Sequence, residues 1–432
     1  MEKDPEEQRD SDGQTVSEEE CQTVPEAPKF SPAPDGGATA WLVVLGAWCT
    51  SFCSFGWINS IGVFQSYYET NLLSTFSAST ISWIPSLQVF FMFAMGPIIG
   101  KLYDNYGPHW LLGVGTLMHV FGLMMASIST KYYQLLLAQG VCSAIGVAAI
   151  FQPAINSVGT WFDKKRGAAY GILSTGSSIG GVLFPIMISR LIDELGFGWA
   201  MRIAAFMILA LLIVANVTVR ARLPPAPKKL SRQDLIEPFK EAEMLLTLLG
   251  FLLLTFGIFV PVNYLSISAL QAGMSENLAQ YLLSLLNAAS LFGRLFSGFA
   301  SDRIGRFNIL VAVCYLAGIV VLAVWIPATS NAATIVFSLL FGFASGAYVS
   351  LGPALMLQLG PIREIGYRTG LLFLVSSFGG LTTSPIAGAI LQAQNGSYTG
   401  MKIFSGVLFL AGATGVLAAR VHHTGFTLLK RF

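Results

Sequence analysis

The chain has 432 residues, of which 54% are hydrophobic and only 11% charged, with a net charge of +2. A soluble domain carries roughly 25% charged residues to cover its surface, so the outer surface of this chain must face something other than water. A secreted domain, a nucleic-acid binder and a cytosolic enzyme are excluded on that ground. Five cysteines, with Cys49, Cys53, Cys142 and Cys314 in apolar runs, do not read as a disulfide framework.

Residues 1–37 hold eleven of the 23 acidic residues and five prolines without an apolar period, which reads as a disordered acidic tail. It lacks the basic start and apolar core of a cleaved signal peptide. From Ala38 onward, apolar stretches of bilayer-spanning length follow one another: 40–65, 80–102, 110–129, 132–158, 167–190, 200–221, 244–270, 278–300, 308–327, 332–357, 368–392 and 400–420. The widest break, 222–243, is polar and Pro-rich. The fold class is therefore an all-α membrane protein with twelve transmembrane helices. An N-terminal six-helix half (38–221) and a C-terminal one (244–421) flank a linker (222–243), and a short tail (422–432) follows. Breaks after even-numbered helices, with the C-terminal tail, carry seventeen Lys and Arg residues, against Lys131, Arg190, Arg202 and Lys402 after odd-numbered ones. By the positive-inside rule the even breaks and both termini are cytoplasmic. The one basic residue assigned to no break or tail is Arg294, well inside the eighth helix.

The two halves repeat. Gly100-Lys-Leu-Tyr-Asp104-Asn-Tyr-Gly107 follows the second helix and Gly298-Phe-Ala-Ser-Asp302-Arg303-Ile-Gly305 the eighth, both G-x-x-x-D-x-x-G at an offset of 198. Ser177, Gly180, Pro185 and Ile186 recur as Ser377, Gly380, Pro385 and Ile386 at an offset of 200. A duplicated six-helix unit is the architecture of a transporter whose halves rock about a midplane site.

These residues resemble the major facilitator superfamily, whose signature loop between helices two and three is similar to the Gly100–Gly107 segment. More narrowly, Asp35-Gly36-Gly37 ahead of Trp41, and Phe162-Asp-Lys164-Lys165-Arg166-Gly-Ala-Ala169-Tyr-Gly171, resemble two motifs of the monocarboxylate-porter family. The resemblance implies alternating access, with Asp104, Asp302 and Arg303 and the flanking Gly100, Gly107, Gly298 and Gly305 at the gate. Asp104 and Asp302 sit near basic groups and helix termini, contacts that can latch one conformer and release in the other; ordinary loop charges are the alternative.

An arginine in the hydrocarbon region costs at least about 2.5 kcal/mol, and no Asp or Glu lies well inside a span to neutralise Arg294. It is a natural receptor for a carboxylate, unless it snorkels or bonds helix-end carbonyls. The porter resemblance implies the same role, yet the acid that family commonly carries one turn earlier is Ser290 here, and its helix-one lysine is Asn59, so the usual proton relay is missing. His119 is the only histidine in a span and the candidate proton carrier; a hydrogen-bonded packing residue is the more common role. Asn287, Ser290 and Arg294 form a polar stripe on helix eight. Asn59, Gln88, Gln152, Asn156, Asn263 and Tyr348 are further candidates to line a central path, interhelical hydrogen bonding explaining each about as well.

The leading expectation is a secondary transporter of a small organic, carboxylate-bearing molecule. The alternatives are an efflux transporter of a fungal secondary metabolite on the same fold, and a transporter-like receptor that binds without transport. No catalytic set, metal-ligating group or P-loop is found, so neither enzymatic activity nor a cofactor is expected. The partners expected are an organic anion or metabolite, protons as a candidate co-substrate, and lipid; nucleic acid is not among them. The chain reads as a monomer or weak oligomer in the plasma membrane, with a vacuolar membrane as the alternative. Asn395-Gly396-Ser397 is a glycosylation sequon in an outward break.

Overall fold

The computed structural model describes residues 32–225, 227, 231–425 and 427. The acidic tail as far as residue 31, Lys228 and Lys229 in the linker, and Lys430 and Arg431 lie outside the described residues. Among the described residues, twelve helical segments are long and apolar enough to cross a membrane: α1 (Ala38–Leu72), α2 (Ala78–Tyr106), α3 (His109–Ile128), α4 (Tyr132–Trp161), α5 (Arg166–Leu195), α6 (Phe197–Thr218), α7 (Ala242–Gln271), α8 (Glu276–Ile304), α9 (Arg306–Trp325), α10 (Asn331–Met356), α11 (Ile362–Ala393) and α12 (Thr399–Thr424). Lipid offers no hydrogen bonds, so each segment must satisfy its own backbone groups, and a helix does so without a partner. The segments are not uniform. A π-turn at Phe52–Gly56 and a break at Asn59 and Ser60 interrupt α1, and prolines 153, 185, 261, 353 and 385 lie inside helices.

Two hydrophobic cores organise the bundle. One is built almost wholly from residues of α1–α6, from Ala40 to Val219, and the other from α7–α12, from Met244 to Ala419. Between them the chain folds into a short helix (Arg232–Ile236) and a 3-10 turn (Glu237–Lys240). The Tyr367 hydroxyl donates to Leu235 O (3.0 Å), and Arg222 Nε donates to Thr160 O (2.7 Å), so the connection is tied to both halves. Arg368, 2% exposed, grips the Glu241 carboxylate at the entrance to α7 with both Nη1 (2.5 Å) and Nη2 (2.6 Å).

Helices α2 and α8 run one turn beyond the stretches read from hydropathy, which ended at 102 and 300. The apolar run stops there, but the backbone stays helical until Gly107 (φ 77°) and Gly305 (φ 108°), left-handed positions that favour glycine. Asp104 and Asp302 therefore sit on the last turn of a helix.

The halves meet along two helix pairs, α2 with α11 and α5 with α8. Gly96 and Gly100 abut Gly370 and Gly366, and Gly171 abuts Gly298, whose added Cβ would come within 2.9 Å of Gly171 Cα. Missing side chains let the backbones touch. The two porter-like motifs also touch each other. The Asp35 carboxylate accepts from the amides of Asp163 (2.7 Å) and Lys165 (3.1 Å), and the rings of Trp41 and Phe162 pack edge to face at 5.2 Å.

Candidate functional site

The first feature of the interface is a pair of matching latches at one end of the bundle. A helix start leaves its first amide protons without intrahelical partners and carries partial positive charge. Asp104 on α2 answers this at the helical start of α11, accepting from Gly366 N (2.8 Å) and Tyr367 N (2.9 Å). Asp302 on α8 does the same at α5, accepting from Gly167 N (2.7 Å) and Ala168 N (2.8 Å). Each carboxylate belongs to one half and each helix start to the other, so the pair ties the two halves together at this end. The matched amides are 199 apart, one less than the Pro185–Pro385 spacing, so α11 carries one more residue than α5 between latch and proline.

Basic groups flank the latches. The Lys101 ammonium lies 5.9 Å from the centre of the Tyr367 ring. Arg306 donates to Asp163 O (2.6 Å) and reaches Asp302 (3.4 Å), whereas Arg303, named from the motif, is exposed. Beside Asp104 lies a recess of about 420 Å³ that also meets Lys101, Asn105, Asp234, Arg363 and Glu364.

Arg294 lies deeper on α8, 6% exposed and aimed into the partner half. Its Nη1 donates to Ser174 O (2.5 Å) and to the Ser177 hydroxyl on α5, and its buried Nε has no partner. The position 198 residues earlier is Gly96, the small residue that lets α2 meet α11. The rest of the stripe also spends its polar groups on the interface. Ser290 bonds Ser178 (2.8 Å), and Asn287 donates to Asn59 Oδ1 (3.0 Å). Arg294, Ser290, Asn287 and Asn59 are thus brought together as ties between the halves.

None of the four lines the pocket at the centre of the bundle. That pocket, about 30 Å³, holds room for a water or two. Phe55, Phe93 and Phe151 come to it from the first half, and Phe251, Tyr348 and Phe373 from the second. The rings interlock across the divide, Phe93 and Phe373 being 5.7 Å apart and Phe151 and Phe373 5.9 Å, while Phe55 packs on Phe151 at 4.8 Å within the first half. Tyr348 meets Thr255 Oγ1 (2.5 Å) and Ser376 Oγ (3.4 Å), and no charged residue lines the walls.

The remaining candidates scatter. Gln152 donates to Gly366 O (3.0 Å) beside the Asp104 latch, leaving its own Oε1 without a partner. Asn156, one turn on, is fully buried with neither amide atom partnered. Asn263 donates to Ser384 (3.0 Å) within the second half. His119 is bonded to Ser143 (2.9 Å) and Cys53 O (3.2 Å) inside the first half, away from the pocket. Gln88 accepts from Gln139 (3.2 Å), also within one half, and Asn395 is exposed in the turn after α11. Sequence reasoning named Tyr348 of the pocket lining and missed the phenylalanines, because single aromatic residues on six helices make no pattern along the chain.

Comparison with known proteins gives these features a family. The family model of the Major Facilitator Superfamily matches residues 45–341 and 271–425. The MFS transporter asaE of Aspergillus flavus is 64% identical over 94% of this chain and 91% of its own length. The Fujikurins efflux protein of Gibberella fujikuroi is 54% identical over 92% and 86%, and the Aspyridones efflux protein apdF of Emericella nidulans 42% identical over 91% and 80%. Among solved structures, the human organic anion transporter MFSD10 superposes with a TM-score of 0.70 at 16% identity, covering 88% of this chain and 98% of its own. The Escherichia coli fucose:proton symporter FucP gives 0.68 at 14% identity, covering 87% and 98%. At those identities the likeness is one of fold. Twelve apolar helices, the family model and near full-length relatives agree: the chain is a multi-pass membrane protein and belongs to the major facilitator superfamily of transporters.

Proposed function

We propose that this protein exports a small organic secondary metabolite by alternating access, with the aromatic pocket as its substrate site. The observation that carries the reading is the origin of the pocket walls: three helices of each half supply them, so rocking one half against the other opens the pocket towards one side at a time. The efflux names of relatives at 54% and 42% identity support the direction. The lysine and arginine distribution supports a cytoplasmic latch end and cytoplasmic termini, and with that orientation this is the conformer closed to the cytoplasm. The plasma membrane is the membrane an exporter needs.

Import of a monocarboxylate has less support. Arg294 is spent on α5, Asn59 and Ser290 stand where a porter-type lysine and acid would be, and the pocket offers no cation. In this reading Arg294, Asn287, Ser290 and Asn59 hold the closed conformer, Tyr348 touches the substrate, and His119 is a packing residue. The test is to delete and to overexpress the gene in its own organism and compare medium with cell extract by mass spectrometry. Export predicts at least one compound retained on deletion and enriched in the medium on overexpression, and saturable flux of that purified compound in proteoliposomes. Identical profiles in all strains refute it.

A further inference from the structure

The hydroxyl chemistry of the pocket says more about its guest than its size does. Thr255 Oγ1 donates its single proton to Phe251 O at 2.6 Å, so in the 2.5 Å bond with Tyr348 the tyrosine must be the donor. Ser376 likewise donates to Leu372 O at 2.9 Å. The two hydroxyls that line the pocket, those of Tyr348 and Ser376, therefore have their protons committed and offer it lone pairs. Around them stand the faces and edges of five phenylalanines, with no Lys, Arg or His on the walls.

We infer that the pocket selects an uncharged, flat, conjugated molecule carrying an O–H or N–H donor, and rejects carboxylates. This rests on the reading of the pocket as the substrate site. A planar π-system replaces the ring contacts that Phe93 and Phe373 make with each other across the divide, keeping offset or edge-to-face geometry. Its donor meets the Tyr348 oxygen. A carboxylate is acceptor-only, so it meets lone pairs and the negative faces of rings, and gives up its hydration with nothing in exchange. The candidate cation of α8, Arg294, is bonded to Ser174 and Ser177.

Three probes built on one ring system test this: 2-naphthol (neutral, donor), 2-methoxynaphthalene (neutral, no donor) and 2-naphthoate (anion). Binding to the full-length protein in lipid nanodiscs is measured by calorimetry, with empty nanodiscs subtracted for partitioning into lipid. Naphthol is expected to bind about five- to tenfold tighter than the methyl ether, the worth of one net hydrogen bond, and naphthoate weakest of the three. Tyr348→Phe, which keeps the ring on Phe251, erases the gap between the two neutral probes. Phe373→Ala weakens both of them about tenfold, through the loss of one aromatic contact. Naphthoate binding tightest, with that binding lost in Arg294→Gln, overturns the inference, and so does a naphthol preference that survives Tyr348→Phe. Naphthol failing to bind a protein that still exports its metabolite sinks the inference alone. Naphthol bound as expected by a protein whose deletion and overexpression leave every metabolite profile unchanged sinks the export reading and spares this one.

Discussion

Replacing Asp104 or Asp302 by asparagine removes the charge from a latch while keeping its shape. Each carboxylate accepts two backbone N–H groups at 2.7–2.9 Å from the start of a helix in the other half. Asparagine keeps one acceptor and turns an NH₂ towards the second amide. The loss is one charge-assisted bond of about 1.5–3 kcal/mol and an interaction with the helix start of about 0.3–1 kcal/mol. Screening takes little of this away, because the Asp302 side chain is only 12% exposed. About 2–3 kcal/mol per latch shifts the ratio of open to closed conformers by about 30- to 150-fold. Asn156→Cys, in a background with the native cysteines replaced, reports on it: position 156 is fully buried and reacts with a membrane-impermeant maleimide only when the latch end opens. In vesicles presenting that end, Asp104→Asn should raise the labelling rate by that factor. The double variant should raise it multiplicatively, since the two sites share no partner. Labelling unchanged in both single variants would refute the latch reasoning. A rise matched by lost thermal stability would point to unfolding instead.

Gly366→Ala should act on the same equilibrium sterically: its Cβ would meet Asp104 Oδ1 at 2.6 Å and the Gly100 carbonyl, a conflict of about 1–3 kcal/mol seen as faster labelling and slower transport. Glu241→Gln should weaken the grip of Arg368 by about 1–3 kcal/mol, lowering the melting temperature; Arg368→Met on top of it should recover part of that loss by removing a buried cation left with Glu364 as its one carboxylate. Asn156→Leu removes two unpartnered polar atoms between the halves. It should favour the closed conformer by about 1–3 kcal/mol, raising the melting temperature and slowing turnover together.

The scaffold was legible because each of its signals is written along the chain. Twenty-residue apolar runs and the repeated G-x-x-x-D-x-x-G segment both depend on neighbours in sequence. Asp104 and Asp302 were legible for the same reason, since their duplication marks them as more than loop charges. Arg294 was located correctly, but its partners were not. Both are on α5, 117 and 120 residues away, and a hydroxyl and a carbonyl leave no mark as an acid would. Helical periodicity placed Asn287, Ser290 and Arg294 on one face without saying whether that face meets a cavity or a helix. The pocket was the least legible part: Phe55, Phe93, Phe151, Phe251 and Phe373 become a wall only when two six-helix units meet.

A clamp on both helix pairs would be a trap if nothing opposed it, because two latches at about 2–3 kcal/mol each hold a closed conformer at about a thousand to twenty-five thousand to one. The opposing contribution lies between the same two halves. Gln152 Oε1, both amide atoms of Asn156, the Thr369 hydroxyl and Arg294 Nε are buried without partners in the closed state. Each such group costs about 1–3 kcal/mol, recovered when water enters. Gln152 touches Gly366 O, and Gly159, seven residues on and on the same helix face, abuts Ile365 and Leu357. Asn156 therefore lies on the surface that parts first as the latch end opens. The latch bonds and the desolvated groups act with opposite sign, which brings the two conformers closer to the reach of the binding energy of one small molecule. A pump-free carrier needs that near balance, because its guest can shift the equilibrium only by the difference in its affinity for the two states.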